Sequence, residues 1–190
     1  SFYLINEPKY AIDAAMDETA QACYNFIAMP VFVIQLLNMF LYQPMLIRMT
    51  ASWENGRKKE FLGYFGRICG ALALISAPIL LAAWILGIPV LSWLYATDLS
   101  ALRTELLLIM TGGIFLAFNG FYCAVLTIMR KQREIPLTYL AGAVLSLVST
   151  PVMVRESGIV GAVLSFVLVM AAVTVLLTAL FAFALRNKDA

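Results

Sequence analysis

Long apolar runs separated by short polar connections fill most of this 190-residue chain. Each run reaches the roughly 18 residues that an α-helix needs to cross about 30 Å of hydrocarbon. The pattern predicts five full membrane spans, over residues 20–46, 62–86, 104–129, 136–154 and 159–185. Residues 1–16 are too short and too often interrupted by polar residues to span, and we expect them to be the end of a truncated further helix. The predicted fold class is therefore all-α, a polytopic transmembrane helix bundle.

Basic residues in the connections fall mainly on one side of these predicted spans. One side receives Arg48, Arg57, Lys58, Lys59, Arg130, Lys131, Arg133, Arg186 and Lys188. The other side receives Lys9, Arg103 and Arg155. Because basic residues concentrate in cytoplasmic connections, this bias predicts a multi-pass membrane protein with a cytoplasmic carboxyl end.

The composition narrows the possible chemistry. Hydrophobic residues make up 63% of the chain, well above the share in soluble domains. The chain has no histidine, and its three cysteines show no metal-binding spacing, so we expect no metal and no cofactor. There is no nucleophile–base pair, phosphate-binding glycine loop or HExxH motif, and we predict that the protein is not an enzyme. The charge pattern shows no patch for nucleic acid.

Three predicted spans each carry polar residues along one face. These stripes comprise Gln21, Asn25, Gln35 and Tyr42 with Asn38 just beyond, then Thr111, Asn119 and Tyr122, and then Thr138, Ser146 and Ser149 beside Gly142. Two interpretations are open: the stripes line a hydrated cavity, or they form hydrogen bonds between packed helices. The amides Gln35, Asn38 and Asn119 favour the cavity.

The charged residues suit an anionic substrate better than a cationic one. No acidic residue lies deep in a complete predicted span, which argues against a drug/cation antiporter, since such proteins need buried carboxylates. Lys9 and Arg67 are the basic residues that could face the interior and bind a phosphate or pyrophosphate. The alternatives are that Arg67 extends to the inner headgroups, and that Lys9 extends outward or pairs with Glu7 or Asp13.

Small residues and prolines mark places where helices pack closely or bend. Gly66 with Gly70, and Gly142 with Ser146, have the spacing of close helix contacts, which we expect within this chain rather than in a dimer. Pro30 and Pro78 lie deep enough to kink their helices, and either a hinge or a static bend would explain them.

Several stretches resemble bacterial polysaccharide flippases of the multidrug/oligosaccharidyl-lipid/polysaccharide exporter (MOP) superfamily. The opening NEPKYAID contains the Pro8-Lys9-Tyr10 element, which matches a Pro-Arg/Lys-Tyr element near the outer end of this family's seventh helix. Further stretches agree in position, namely FLYQPMLIRMTASWENGRKKEF, IPVLSWLY and SGIVGAVLS. The likeness runs across nearly all of the chain.

The resemblance implies the carboxyl-terminal half of a twelve-helix, MATE-like transporter built from two bundles. It implies export of an undecaprenyl-pyrophosphate-linked oligosaccharide, for O-antigen, capsule or exopolysaccharide synthesis, by alternating access in the bacterial cytoplasmic (inner) membrane. The expected partners are this lipid-linked oligosaccharide, membrane lipids, the amino-terminal half of the transporter and the polysaccharide polymerase machinery. Lys9 matches the family's basic position and is expected to contact the headgroup.

The candidate substrate-binding residues that follow from the stripes, the cations and the resemblance are Lys9, Tyr10, Arg67, Asn25, Gln35, Asn38, Asn119 and Tyr122. Three alternative functions stay open. Two of them, a multidrug/cation antiporter and a peptidoglycan-precursor flippase, share the predicted fold. The third is a membrane assembly subunit that transports nothing. Fold-level likeness does not distinguish the cargo.

Overall fold

A computed structural model describes residues 2–186, and Ser1 and Lys188, which enter the predictions above, lie outside the described residues. The described chain is almost entirely helical, with short turns between helices, and contains no strand. Its six α-helices are α1 (Phe2–Ala15), α2 (Glu18–Glu54), α3 (Lys58–Ala82), α4 (Ile88–Tyr95), α5 (Arg103–Ile128) and α6 (Ile135–Arg186). A π-helical turn, Ala83–Gly87, joins α3 to α4, and a 3-10 turn, Ser100–Leu102, precedes α5.

Four helical runs within residues 2–186 are long and apolar enough to cross a membrane. They are Glu18–Glu54, Lys58–Tyr95, Ser100–Ile128 and Ile135–Arg186. The chain therefore has the helices of a membrane protein, as predicted. The count differs from the five predicted spans because the last two, 136–154 and 159–185, both fall within α6 and no extended loop separates them.

The helix α6 folds back on itself at Gly158. This glycine has φ 57° and ψ −131°, a conformation outside the α-helical region that glycine adopts with little strain. The hydroxyl groups of Thr150 and Ser165 are in contact, although they would lie about 22 Å apart along a straight helix. Residues 135–157 and 159–186 therefore pack side by side in an antiparallel hairpin. We call them the first arm and the second arm.

Side-chain neighbours show how the other helices run relative to this hairpin. α1 runs parallel to the first arm, as shown by the pairs Leu4 with Gly142, Glu7 with Ser146, and Met16 with Gly158. α5 runs parallel to the second arm, as shown by the pairs Gly112 with Phe166 and Asn119 with Met170. α2 runs parallel to α5, as shown by the pairs Val31 with Gly113 and Tyr42 with Phe121.

The Lys58–Tyr95 run is antiparallel to α2. Trp53 near the end of α2 lies against Phe61, with ring centroids 4.8 Å apart, and Phe26 near its start stacks on Tyr95 at 4.0 Å. Consecutive long elements from α2 to the second arm consequently alternate in direction.

Two helical runs extend beyond the spans predicted for them. α2 continues to Glu54 because its last turns pack into the core, where Met49 and Trp53 are buried. The second run continues past residue 86 to Tyr95 through the π-helical turn. In a regular helix the ring of Pro89 would clash with the carbonyl of Ile85, and the wider π turn just before it accommodates the proline.

α5 is the central helix and α3 is peripheral. Gly112 and Gly113 let α5 approach Phe166 of the second arm on one side and Val31 of α2 on the other. Gly142 likewise packs against Val173, which confirms the close contact predicted there. The corresponding prediction for α3 is wrong, because a Cβ atom added at Gly66 or Gly70 would meet nothing within 4 Å in the described chain.

Candidate functional site

The short helix α1 presents two opposite charges to two different neighbours. Glu7 and Lys9 are two residues apart, which places their side chains about 200° apart around the helix. Glu7 points to α6, and only 4% of its surface is exposed. Lys9 is half-buried, and its ammonium group lies 5.9 Å from the ring centroid of Phe32 on α2.

Glu7 meets a row of hydroxyl groups on the hairpin. The Ser146 hydroxyl donates a hydrogen bond of 2.8 Å to Oε2 of Glu7, and it lies 3.3 Å from the Thr150 hydroxyl. Thr150 contacts Ser165 on the second arm, whose hydroxyl lies 3.5 Å from that of Ser149. We call these five residues the Glu7 cluster. It is a continuous chain of oxygen atoms linking α1 to both arms.

The Glu7 cluster lies far from the ends of the first arm. Ser146 is midway between Ile135 and Gly158, so it is about 17 Å along the helix from each. The carboxylate that it binds is therefore as deep as the middle of the arm. An ionisable group at such a depth in a membrane helix bundle is costly and usually functional.

Sequence reasoning overlooked Glu7 as a site residue. We considered it only as an interruption of the first segment and as a possible partner of Lys9. A signal was present, because Leu4, Pro8 and Ile12 have the spacing of one helix face, and all three are buried. Glu7 lies on that same face, three residues after Leu4. The search for buried carboxylates covered only the complete spans, and this short helix is not one of them.

Lys9 has no carboxylate partner. Among residues 2–186 no carboxylate lies within ion-pair distance of its ammonium group, so the predicted alternative of pairing with Glu7 or Asp13 is not formed. Its contact with Phe32 is of the cation–π type. The neighbouring Tyr10, also predicted as a site residue, is 58% exposed. Lys9 is thus a partly desolvated cation with an aromatic neighbour.

Two other predicted site residues, Asn119 and Asn38, lie in packed regions. Asn119 is fully buried, donating to the carbonyl of Met170 at 3.3 Å and accepting from the hydroxyl of Thr174 at 2.8 Å. Asn38 is buried and donates to the carbonyl of Ile34 in its own helix. Of the two interpretations of the polar stripes, hydrogen bonding between packed helices describes Asn119.

Tyr122 belongs to an aromatic cluster with Phe65 of α3 and Phe181 of the second arm. The remaining predicted residues are less enclosed: Asn25 and Gln35 are half-buried on α2, and Arg67 is exposed on the peripheral α3. No hydrogen bond, ion pair or ring contact in the described chain joins any two of the eight predicted site residues.

An apolar groove includes Phe32, the residue that Lys9 contacts. It has a volume of about 600 Å³ and is formed by α2, the α3–α4 run around the π-helical turn, and α5. Its lining includes Met29, Phe32, Leu37, Leu86, Val90 and Leu94, and Tyr95 is the one described lining residue whose side chain carries a polar group. Phe32 both lines this groove and contacts Lys9. Phe32 therefore links a cation to a space suited to hydrocarbon, although Lys9 is not among the described residues that line this space.

The described residues contain no cluster of histidine, cysteine, aspartate or glutamate side chains that could hold a metal ion.

Comparison with protein-family models, curated proteins and solved structures gives no match. The resemblance to polysaccharide flippases therefore stays a prediction, based on the stretches quoted above. Function is inferred below from the geometry of α1 and its neighbours.

Proposed function

We propose that this chain is part of a membrane transporter that moves an undecaprenyl-pyrophosphate-linked oligosaccharide from the cytoplasmic to the outer leaflet. In this proposal α2, the Lys58–Tyr95 run, α5 and the two arms of α6 are five membrane crossings of a carboxyl-terminal, MATE-like bundle. The transporter works by alternating access in a bacterial cytoplasmic (inner) membrane, with the carboxyl end of the chain in the cytoplasm. Its product serves O-antigen, capsule or exopolysaccharide synthesis.

The observation that carries the proposal is the contact of Lys9 with Phe32, a residue that also lines the apolar groove. A lipid pyrophosphate combines an anionic headgroup with a long hydrocarbon chain, and Lys9 and the groove offer a complementary surface to each part. Because Lys9 has no carboxylate partner in the described chain, its charge is free to bind a phosphate oxygen. The aromatic ring of Phe32 connects the two surfaces.

The alternating helix directions support the five crossings. With a reversal at Gly158, the connections near Asn55 and Lys131 lie at one end of the bundle, and those near Asp98 and Glu156 at the other. The connections near Asn55 and Lys131 are rich in Lys and Arg, as cytoplasmic connections are.

A second candidate is a cation-coupled antiporter of the same fold. We argued against it from sequence because no carboxylate lies deep in a complete span. The burial of Glu7 at mid-depth beside the hairpin now favours it. A flippase for peptidoglycan precursors also stays open, since its substrate carries the same lipid pyrophosphate.

The proposal predicts that Lys9→Ala slows flipping of a labelled undecaprenyl-pyrophosphate oligosaccharide by the reconstituted full-length protein about tenfold or more. A charge-assisted hydrogen bond is worth about 1.5 kcal/mol or more, and tenfold corresponds to about 1.4 kcal/mol. Lys9→Arg should retain most of the rate, since it keeps the charge. Lys59→Ala is the matched control, because Lys59 is exposed at the start of α3. Flipping at the wild-type rate in Lys9→Ala would remove Lys9 from the mechanism and leave the proposal without its main support.

A further inference from the structure

The apolar groove is confined to one end of the bundle. In the described chain, the Lys58–Tyr95 run lines it from Ile79 onward, and α5 lines it through Leu106 and Met110, near the start of that helix. α2 lines it over residues Met29–Leu37, about 12 Å of helix, and the lining part of the Lys58–Tyr95 run is about 24 Å long. The hydrocarbon of a single leaflet is about 15 Å deep, half of the full membrane core. The groove therefore has the length of a lipid chain in one leaflet.

The volume of the groove also matches a single lipid chain. If each carbon atom with its hydrogens takes roughly 30 Å³, like a water molecule, about 600 Å³ holds roughly 20 carbon atoms. This is the size of one acyl chain of a membrane phospholipid. The undecaprenyl chain of the proposed cargo is much longer and would extend beyond the groove. The lining side chains of Met29, Val33 and Leu86 are each more than half exposed, so a chain can enter from the surrounding lipid.

Arg103 lies on the groove side of α5, one turn before the groove. It precedes Leu106 by three residues and Met110 by seven, so these three residues share one helix face. Arg103 is exposed, and the central carbon of its guanidinium group lies 6.0 Å from the ring centroid of Trp84. Trp84 belongs to the π-helical turn, whose neighbouring residues line the groove. This cation–π contact keeps a positive charge near the end of the groove.

The positive charge of Arg103 is not neutralised within residues 2–186, where it forms no ion pair. Asp98, in the adjoining connection, accepts a hydrogen bond of 2.9 Å from the backbone N–H of Ser100. Glu105 is two residues farther along α5, about 200° around the helix from Arg103. A guanidinium group can donate two parallel hydrogen bonds to a phosphate. Its charge and its position at the end of the groove suit the phosphate of a lipid headgroup.

We propose that Arg103 and the apolar groove together bind one phospholipid from the leaflet at this end of the bundle. The guanidinium group donates hydrogen bonds to the phosphodiester, and one acyl chain lies in the groove. On the proposed function, this phospholipid occupies the groove until the hydrocarbon chain of the cargo displaces it. Binding of the phospholipid itself does not depend on that function.

The first experiment is native mass spectrometry of the delipidated full-length protein in detergent, titrated with phosphatidylglycerol. We expect one tightly bound lipid, with a Kd about tenfold higher in Arg103→Gln, because a charge-assisted hydrogen bond is lost. Arg103→Lys keeps the charge and should bind with intermediate affinity. Arg155→Gln is the matched control, since Arg155 is exposed at the same end of the bundle. Wild-type affinity in Arg103→Gln, or equal weakening in Arg155→Gln, would overturn the proposal.

Two further ligands separate the headgroup from the chain in the same assay. Diacylglycerol with the same acyl chains lacks the phosphate, and it should bind the wild-type protein about tenfold more weakly than phosphatidylglycerol. Excess inorganic phosphate lacks the chain and should leave phosphatidylglycerol bound. Equal affinity for diacylglycerol would remove Arg103 from the site, and displacement by inorganic phosphate would indicate a site for free phosphate instead of a lipid.

The second experiment tests whether the acyl chain lies in the groove. Val33→Trp places a large side chain in the lining of the groove, and we expect it to weaken phosphatidylglycerol binding about tenfold in the same titration. Val148→Trp is the control, because Val148 is also exposed but lies on the first arm, outside the described lining. Unchanged affinity in Val33→Trp would show that the chain binds elsewhere and would contradict the proposal. Neither experiment uses a cargo, so both can be read even if the flippase proposal fails.

Discussion

Buried polar side chains in this bundle differ in how completely their neighbours satisfy them. Asn119 donates to the carbonyl of Met170 and accepts from Thr174, so the neutral amide is matched by two neutral groups. Glu7 has the same degree of enclosure, but its described side-chain hydrogen bond comes from the Ser146 hydroxyl. A satisfied amide contributes to packing, whereas a carboxylate buried in a membrane helix bundle is costly and usually functional. Similar burial therefore supports a structural role for one residue and a chemical role for the other.

Asn119→Ala should lower the free energy of unfolding by about 1 to 2 kcal/mol. The substitution removes two hydrogen bonds between α5 and the second arm, and such bonds contribute about 0.5–1.5 kcal/mol each, at the lower end in membrane bundles. Unfolding in mixed micelles, followed by circular dichroism, measures the change. Gln35→Ala provides the comparison, because Gln35 is half-buried on α2 without a described side-chain hydrogen bond. Equal stability of the two variants would argue against a packing role for Asn119.

For Lys9, the sequence predicts a site residue but does not predict which side chain it contacts. Its charge and the Pro8-Lys9-Tyr10 element identify it as a candidate from the sequence alone. That its ammonium group faces Phe32 at the border of a groove depends on how α1 lies against α2. No periodicity in α1 specifies that contact.

Among the helices, the hairpin in α6 depends on three glycines. The chain reverses direction at Gly158. Gly161 lies against the backbone carbonyl of Met153, and Gly142 lies against Val173 farther along the arms. A side chain at Gly161 or Gly142 would push the arms apart, and one at Gly158 would be strained by the positive φ and would meet Met16. The sequence predicted a break between residues 154 and 159, at the correct place. The observed break is a single glycine in a tight reversal with helix on both sides, and not a four-residue loop.

Gly142→Ala and Gly66→Ala form a matched pair that tests helix packing. The added methyl group at Gly142 would lie 2.6 Å from Val173, and overpacking of this kind costs about 1–3 kcal/mol of unfolding free energy. At Gly66 the methyl group meets nothing within 4 Å, and the better helix propensity of alanine should leave stability unchanged or raise it by up to about 1 kcal/mol. Unfolding titrations of both variants provide the measurement. Destabilisation by Gly66→Ala instead would mean that another surface covers α3 in the membrane.

The arrangement of the whole bundle makes a prediction about sidedness. In a full-length protein without Cys23, Cys69 and Cys123, single cysteines at Asp98→Cys and Glu156→Cys should react with an impermeant thiol reagent from outside intact cells. Asn55→Cys and Gln132→Cys should react only after the membrane is opened. All four positions are exposed, so access differs only by side.

Labelling of Glu156→Cys and Gln132→Cys from the same side would mean that the first arm does not cross the membrane. If each of the four cysteines reacted from the side opposite to the predicted one, the orientation would be the reverse of the one proposed, and the carboxyl end would lie outside. The first result contradicts the five crossings, and the second contradicts the orientation inferred from the basic residues.

Local composition determines the apolar runs, the positions of their breaks and the distribution of Lys and Arg. The sequence alone therefore predicts these features. Helix formation and lipid compatibility depend on neighbours within a few residues, which explains why the element boundaries at Arg103–Ile128 and Ile135 lie close to the predicted ones. The partner of each polar residue depends on contacts between distant segments. Glu7 meets Ser146 across 139 positions of sequence, and Asn119 meets Thr174 across 55. Packing of α1 and α5 against the hairpin, which no local pattern encodes, gives Glu7 a buried position against α6 and gives Asn119 its two hydrogen-bond partners.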